Sequence, residues 1–134
     1  MDSEGRSVPL AALTAAARGK RWDFVDDHIL QAITPENIRW AMRAGIEDIN
    51  SDVRDLAATI LHHCDDPLEG GTLSVVTRRI EVDPNKYVKY RLAMALWRRG
   101  TRPDVIRRLI GDALADPEIS PAVKEFLQEF PDAR

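Results

Sequence analysis

The chain has 134 residues, of which 44% are hydrophobic and 31% charged, and its 19 basic and 22 acidic residues give a net charge of −3. This length corresponds to one domain, and the apolar content excludes a disordered chain, which would be less hydrophobic and carry more net charge. The ordinary numbers of glycine (7) and proline (8) also exclude a collagen-like or low-complexity polymer.

The cysteine content and the hydropathy pattern bear on the compartment. Cys64 is the only cysteine, so the sequence cannot form an internal disulfide. Two of the first four residues are acidic and none is basic, whereas a signal peptide begins with basic residues. The longest apolar stretch, 10–17, is far shorter than the roughly 20 residues that a membrane-spanning helix needs. We therefore expect a cytoplasmic protein without a membrane segment.

Turn-forming residues recur at short intervals along the first half of the chain, and the apolar residues between them follow a helical period. The first predicted helix ends at Gly19, and the second runs over 21–33. Thr34 is expected to cap a third helix that starts with a proline and ends at Gly45, because proline favours the first position of a helix and glycine its end.

The second half continues the same pattern. Asn50 is expected to cap a fourth helix and Thr72 a fifth, although the fifth is rich in β-branched residues and has the weakest helical pattern. A long helix follows Asn85 and ends at Gly100, and two more lie beyond it, the last over 120–130. No window alternates as a strand would. The sequence therefore predicts an all-α fold of about seven or eight helices.

An internal repeat organises these helices. Residues 48–58 (Asp-Ile-Asn-Ser-Asp-Val-Arg-Asp-Leu-Ala-Ala) recur 35 positions later as 83–93 (Asp-Pro-Asn-Lys-Tyr-Val-Lys-Tyr-Arg-Leu-Ala), and Leu61 recurs as Leu96. A partial third copy surrounds Val123, preceded by an Asp-Pro pair that is two residues out of register. In each unit the Asp-x-Asn segment can cap a helix. One helix pair cannot bury its own apolar face, so we expect the pairs to stack.

This pattern resembles the HEAT-like repeat family, and the copy at 83–93 is the more similar one. The resemblance implies a right-handed α-solenoid of antiparallel helix pairs that forms a single domain. It divides the chain into divergent amino-terminal helices (1–47), two repeats (48–82 and 83–115) and a carboxyl-terminal half-repeat or cap (116–134). Members of this family mostly bind proteins, some bind nucleic acid and a few are enzymes, so the fold alone does not identify the function.

The sequence contains no phosphate-binding loop, nucleophile elbow or cysteine pair. We therefore predict no catalytic residue, no metal site and no cofactor. Two clusters contain suitable residue types: the run 62–66 (His-His-Cys-Asp-Asp), where His62 and Asp66 share a helical face, and the group Asp23, Asp26, Asp27 and His28. Either cluster could hold a cation, and the paired carboxylates could do acid–base work. Structural explanations fit both clusters better. The run 62–66 is the end of an amphipathic helix, and the group at 23–28 is a solvated helix face.

The charge is distributed unevenly along the chain. The net charge is −6 over 1–69, +7 over 70–110 and −4 over 111–134, and eight of the ten basic residues in the central segment are arginine. Arginine suits the recognition of carboxylates and phosphates. The helix over 86–99 also carries a second apolar stripe beside its core stripe. The stripe consists of Tyr87, Tyr90, Met94 and Trp97. These residues are either buried between neighbouring helices or anchors for a partner.

These features predict a non-catalytic protein-interaction or adaptor module that docks an acidic or apolar segment of another protein on the basic-aromatic surface of residues 78–108. The predicted contact residues are Arg78, Arg79, Tyr87, Tyr90, Arg91, Trp97, Arg98, Arg102, Arg107 and Arg108. One alternative is nucleic-acid binding by the same surface, which the overall acidity disfavours. A second alternative is an enzyme or enzyme-associated subunit resembling the phycobilin-lyase-type HEAT-like proteins. The oligomeric state stays open.

Overall fold

A computed structural model describes residues 8–68, 70–100, 104–119, 121 and 124–125. The described part of the chain is helical and contains no strand, which confirms the all-α prediction. None of the described helices is long and apolar enough to cross a membrane. Most of the predicted last helix, including the partial third repeat around Val123, lies outside the described residues.

Seven α-helices and two 3-10 helices follow one another along the described chain. They are α1 (Leu10–Arg18), α2 (Trp22–His28), a 3-10 helix (Ile29–Ala32), α3 (Pro35–Arg43), a second 3-10 helix (Gly45–Glu47), α4 (Ser51–His62), α5 (Gly70–Val82), α6 (Lys86–Arg98) and α7 (Asp104–Ala115). The second predicted helix is thus shorter than expected, because its last part adopts the tighter 3-10 form.

Three of the predicted helix caps are present. The Oγ1 of Thr34 accepts a hydrogen bond from a backbone N–H of the first turn of α3 (3.2 Å). The Oδ1 of Asn50 accepts two such bonds at the start of α4 (2.8 and 3.2 Å), and the Oδ1 of Asn85 accepts one at the start of α6 (2.8 Å). These side chains replace the intrahelical acceptors that the first N–H groups of a helix lack.

One predicted helix start is wrong, and one predicted helix end has a further role. Thr72 does not cap α5, because the helix begins at Gly70 and Thr72 is buried inside it. Gly45 directly follows the C-cap of α3, as predicted, and it also begins the second 3-10 helix. A Cβ at Gly45 would lie 2.7 Å from the Cβ of Ala57 and 2.9 Å from the ring of Trp40. Gly45 is therefore required for the close approach of this segment to α4.

The two inner helices, α4 and α6, organise the core. α4 packs against α1, α3 and both 3-10 helices, and its most extensive contact is with α6, which also packs against α5 and α7. Every residue of α4 over 53–62 is buried, as is every residue of α6 over 90–97. A helix enclosed on all sides must bury its polar residues as well, and these need partners inside the protein.

An aspartate turn of the same geometry occurs at three places in the described chain. In each, the Oδ1 of an aspartate accepts a hydrogen bond from the backbone N–H two residues later: Asp48 at 2.9 Å, Asp83 at 2.9 Å and Asp116 at 2.8 Å. Arg54 connects the first two turns. Its Nε and Nη2 donate to the carboxylate of Asp83 (2.7 and 3.1 Å), and its Nη1 donates to the backbone oxygen of Asp48 (2.8 Å).

Candidate functional site

The predicted aromatic stripe of α6 lies mainly in the core. Tyr90, Met94 and Trp97 are 8%, 0% and 2% exposed, and Tyr87 is half-buried. The hydroxyl of Tyr90 donates to the carboxylate of Asp116 (3.1 Å), and the hydroxyl of Tyr87 donates to the backbone oxygen of Glu118 (2.9 Å). These tyrosines fix the third aspartate turn to α6. Of the stripe, only Tyr87 retains substantial exposed surface.

Several basic residues of the central segment are engaged by internal acceptors. Arg91 is buried and forms an ion pair with Asp55, and the Nη1 of half-buried Arg79 lies 3.9 Å from the carboxylate of Asp83. The Nε of Arg98, which is exposed, donates to Asp65 at 2.5 Å, and this bond lowers the pKa of that carboxyl. Much of the positive charge is therefore neutralised within the fold.

Three of the predicted arginines extend into solvent. Arg78 on α5 and the consecutive Arg107 and Arg108 on α7 are exposed, and none of them forms an ion pair with a described carboxylate. The guanidinium carbon of Arg107 lies 5.1 Å from the centre of the Trp97 ring, a cation–π arrangement. We call Arg107 and Arg108 the arginine surface. The predicted Arg102 lies outside the described residues.

A separate cavity of about 350 Å³ opens between α2, α4 and α6. Its lining residues are Trp22, Asp23, Asp26, Asp55, Tyr87, Arg91 and Pro121. We call this cavity the acidic pocket. Of its lining residues, only Tyr87 and Arg91 were predicted as contact residues, and they lie here rather than beside the exposed arginines of α7.

The floor of the acidic pocket is formed by two buried charged residues. Asp55 on α4 and Arg91 on α6 are each 5% exposed, and the Oδ1 of Asp55 lies 3.2 Å from the Nε of Arg91. The Nη1 of Arg91 donates to the hydroxyl of Thr59, which itself donates to the backbone oxygen of Asp55 (2.8 Å). Arg91 is thereby held against α4. Burial raises the pKa of Asp55 to about 6, and the attraction of Arg91 offsets only part of this effect.

The wall and rim of the pocket belong to α2. The guanidinium of Arg91 lies 5.7 Å from the centre of the half-buried Trp22 ring. Asp23 and Asp26 are exposed at the rim. Partial loss of water around the Asp26 carboxyl raises its pKa; the positive charge of Arg91 opposes this, and repulsion from Asp23 and Asp27 adds to it. The pocket therefore combines aromatic walls with an excess of negative charge.

The sequence interpretation missed Asp55 and Trp22 as site residues and grouped Asp23 and Asp26 with Asp27 and His28. The structure instead brings Asp23 and Asp26 to the pocket, together with Asp55 from a different helix. The helical period assigns Asp55 to a solvated face, and that assignment fails because α4 is enclosed by α6 on that side. One feature of the sequence could have revealed this pair: the first repeat unit has an acidic residue, Asp55, and the next unit has an arginine, Arg91, that can pair with it.

The other cluster, at 62–66, is a packing element. His62 is fully buried, and burial lowers its pKa to about 3; burial likewise lowers the pKa of His63 to about 4. Cys64 is buried, and its sulfur accepts a hydrogen bond from the Nη2 of Arg99 (3.0 Å). In the part of the chain that the structure describes, no three histidine, cysteine or acidic side chains are grouped so that they could hold a metal ion.

Comparison with known proteins adds no assignment to this geometry. No family model matches the chain, and neither a curated protein nor a solved structure is significantly similar to it.

Proposed function

We propose that this chain is a non-catalytic protein-interaction module, a short right-handed α-solenoid of HEAT-like repeats that docks an acidic segment of a partner on the arginine surface. The repeat assignment is supported by the three aspartate turns, which begin at Asp48, Asp83 and Asp116 and share one hydrogen-bond geometry. It is further supported by Arg54, which bonds to two successive turns. Stacked repeats expose extended surfaces that suit the binding of another chain.

The observation that carries the docking proposal is the position of Arg107 over Trp97. The ring lies in the core, so it is rigid, and it holds the guanidinium 5.1 Å from its centre at the protein surface. An arginine that is already ordered loses less side-chain entropy on binding than an unsupported one. Its planar guanidinium can form two parallel hydrogen bonds to a carboxylate. Arg108, the next residue of α7, is also exposed and adds positive charge, and this favours an acidic partner segment.

The test is a comparison of proteins retained from native lysate by the tagged chain and by two variants. The double variant R107E/R108E reverses the charge of the arginine surface. The matched control is Arg39→Glu, which reverses an exposed arginine on α3. Circular dichroism would verify that both variants keep their helices, and every capture would be repeated after nuclease treatment.

The proposal expects a defined protein that the wild type and R39E retain after nuclease treatment and that R107E/R108E does not. Retention of the same proteins by all three would show that the arginine surface is not the interface. Loss of the retained material after nuclease treatment would assign the same arginines to nucleic acid, whose binding also weakens steeply with salt.

A further inference from the structure

The acidic pocket has a composition that points to a ligand of its own, independent of the arginine surface. Its deepest carboxylate, Asp55, is 95% buried and lines the cavity, yet its Oδ1 accepts no hydrogen bond from any described residue. The Nε of Arg91 is close to this oxygen but is not aligned to donate to it. Arg91 therefore balances the charge of Asp55 only through an ion pair, and the carboxylate of Asp55 at the floor of the cavity keeps capacity for a further hydrogen bond.

The charges around the pocket do not balance. Among the described lining residues, three are aspartates and Arg91 alone is basic, and Arg91 is held against Asp55 and Thr59 on the floor. No described basic side chain forms an ion pair with Asp23 or Asp26. Burial raises the pKa of both Asp55 and Asp26, and the positive charge of Arg91 offsets only part of this effect. A ligand that brings a positive charge would relieve this imbalance.

The walls define the shape of that ligand. Trp22 and Tyr87 are half-buried and expose ring surface to the cavity, which suits the flat, weakly hydrated guanidinium group and an aliphatic stem. A cavity of about 350 Å³ is at the small end of ligand sites and accommodates one long side chain.

We propose that the acidic pocket binds an arginine side chain from an exposed segment of a partner protein. The stem would lie along Trp22 and Tyr87, and the guanidinium would bond to Asp26 and Asp23 and extend toward the carboxylate of Asp55. The rim carboxylates are exposed, so ion pairing alone would hold a small free cation weakly. A longer segment gains further contacts outside the pocket, and for that reason we assign the arginine to a polypeptide.

The experiment is an NMR titration of the ¹⁵N-labelled chain with the capped peptide Gly-Gly-Arg-Gly-Gly. The indole N–H signal of Trp22, identified with a Trp22→Phe variant, reports on the pocket. The signals of Trp40 and Trp97, which do not line the pocket, serve as internal references. Parallel titrations use the same peptide with citrulline, which keeps the shape of arginine but not its charge, the peptide with lysine, and acetylarginine amide.

The variant Asp26→Asn tests the rim, and Asp27→Asn is its matched control. Asp27 is exposed on the same helix but does not line the pocket. Both changes leave the side-chain volume nearly unaltered, and both positions are exposed, so neither threatens the fold. If the pocket binds arginine, D26N raises the Kd of the arginine peptide about threefold to tenfold, whereas D27N changes it less than about twofold.

The proposal expects a saturable shift of the Trp22 signal with the arginine peptide, a weaker response to lysine and none to citrulline. It is overturned if the Trp22 signal does not move up to about 20 mM peptide, where a millimolar interaction would saturate. It is also overturned if citrulline or lysine binds as well as arginine, or if D27N matches D26N. Equal binding of acetylarginine amide and the peptide would assign the pocket to a small molecule instead. Because this titration makes no use of the arginine surface, its result is separate from that of the capture experiment.

Discussion

Arg54 and Asp83, which are 29 positions apart, form a two-pronged ion pair that is buried at both ends. The side chain of Arg54 is 7% exposed and that of Asp83 is not exposed at all. Arg54 also donates to the backbone oxygens of Asp48 and Ile49. One side chain therefore joins the turn that precedes α4 to the turn that precedes α6, and this fixes the register between the two inner helices.

Replacing Arg54 with methionine should lower the free energy of unfolding by about 3–5 kcal/mol, because Asp83 would remain buried without its main counter-charge. Urea denaturation measures the change. The matched control is Lys20→Met, which removes a pair with Asp52 of similar length (2.9 Å) whose lysine side chain is 72% exposed. That change should cost less than about 1 kcal/mol. Equal losses in the two variants would show that Arg54 has no special structural role.

Gly45→Ala should destabilise the chain by about 1–3 kcal/mol, since the added methyl group would overlap Ala57 and Trp40 at distances no real contact allows. Gly111→Ala is the matched control. Gly111 lies within α7, and an added Cβ there meets no atom within 4 Å, so alanine should stabilise the helix by about 0.5–1 kcal/mol. Thermal or urea denaturation reports both changes, and effects of the same sign would contradict the packing argument.

His62 should make the chain less stable as the pH falls. Burial lowers its pKa from 6.5 to about 3, so below about pH 6.5 the unfolded chain takes up a proton that the folded chain does not. The contribution of neutral His62 is thus complete above pH 6.5 and decreases as the pH approaches 3. Between pH 7 and pH 5 this amounts to a loss on the order of 2 kcal/mol.

The measurement compares urea denaturation of the wild type and His62→Gln at pH 5, 6 and 7. The glutamine variant should lose less stability over this range, whatever its stability at pH 7. Other titrating groups, such as Asp55 and His63, are present in both proteins, so the difference between the two pH profiles isolates His62. Parallel profiles would mean that His62 titrates in the same way in the folded and unfolded chains.

Asn50→Ala should lower the free energy of unfolding by about 1–2 kcal/mol, because the Oδ1 of Asn50 accepts two backbone hydrogen bonds at the start of α4. Asn85→Ala should cost less, as Asn85 accepts one such bond. Ser51→Ala, one residue beyond the first cap, should change stability by less than about 0.5 kcal/mol. A cost at Ser51 equal to that at Asn50 would refute the capping role.

The sequence predicted the local structure of this chain well. The capping residues and the 35-residue repeat identified the starts of α4 and α6. These helix starts could be predicted because they depend on interactions between residues that are close in the sequence. The Asp-Pro pair before Val123 is two residues out of register in the sequence, and the structure shows the same shift. The turn at Asp116 follows the turn at Asp83 by two residues fewer than the repeat length.

The candidate sites were harder to predict because they depend on which helix faces are covered. Helical periodicity detects one buried stripe, but α4 and α6 are enclosed by neighbours on several sides. Asp55 and Arg91 therefore lie in the interior, and Tyr90 and Trp97 with them. Nothing in the local pattern around Trp22 indicates that α2 approaches α6, so the acidic pocket could not be recognised before the helices were placed.

The enclosure of α4 also determines how the molecule opens. Its backbone amides over 53–62 are shielded on every side, so they can exchange hydrogen with solvent only when the chain unfolds as a whole. α5 buries only Thr72, Val76 and Ile80, mainly against α6, and can detach while the inner layer persists. The slowest exchange therefore belongs to the inner helices α4 and α6, and its rate, compared with that of an unstructured amide, gives the free energy of global unfolding, whereas the amides of α5 report a smaller, local opening.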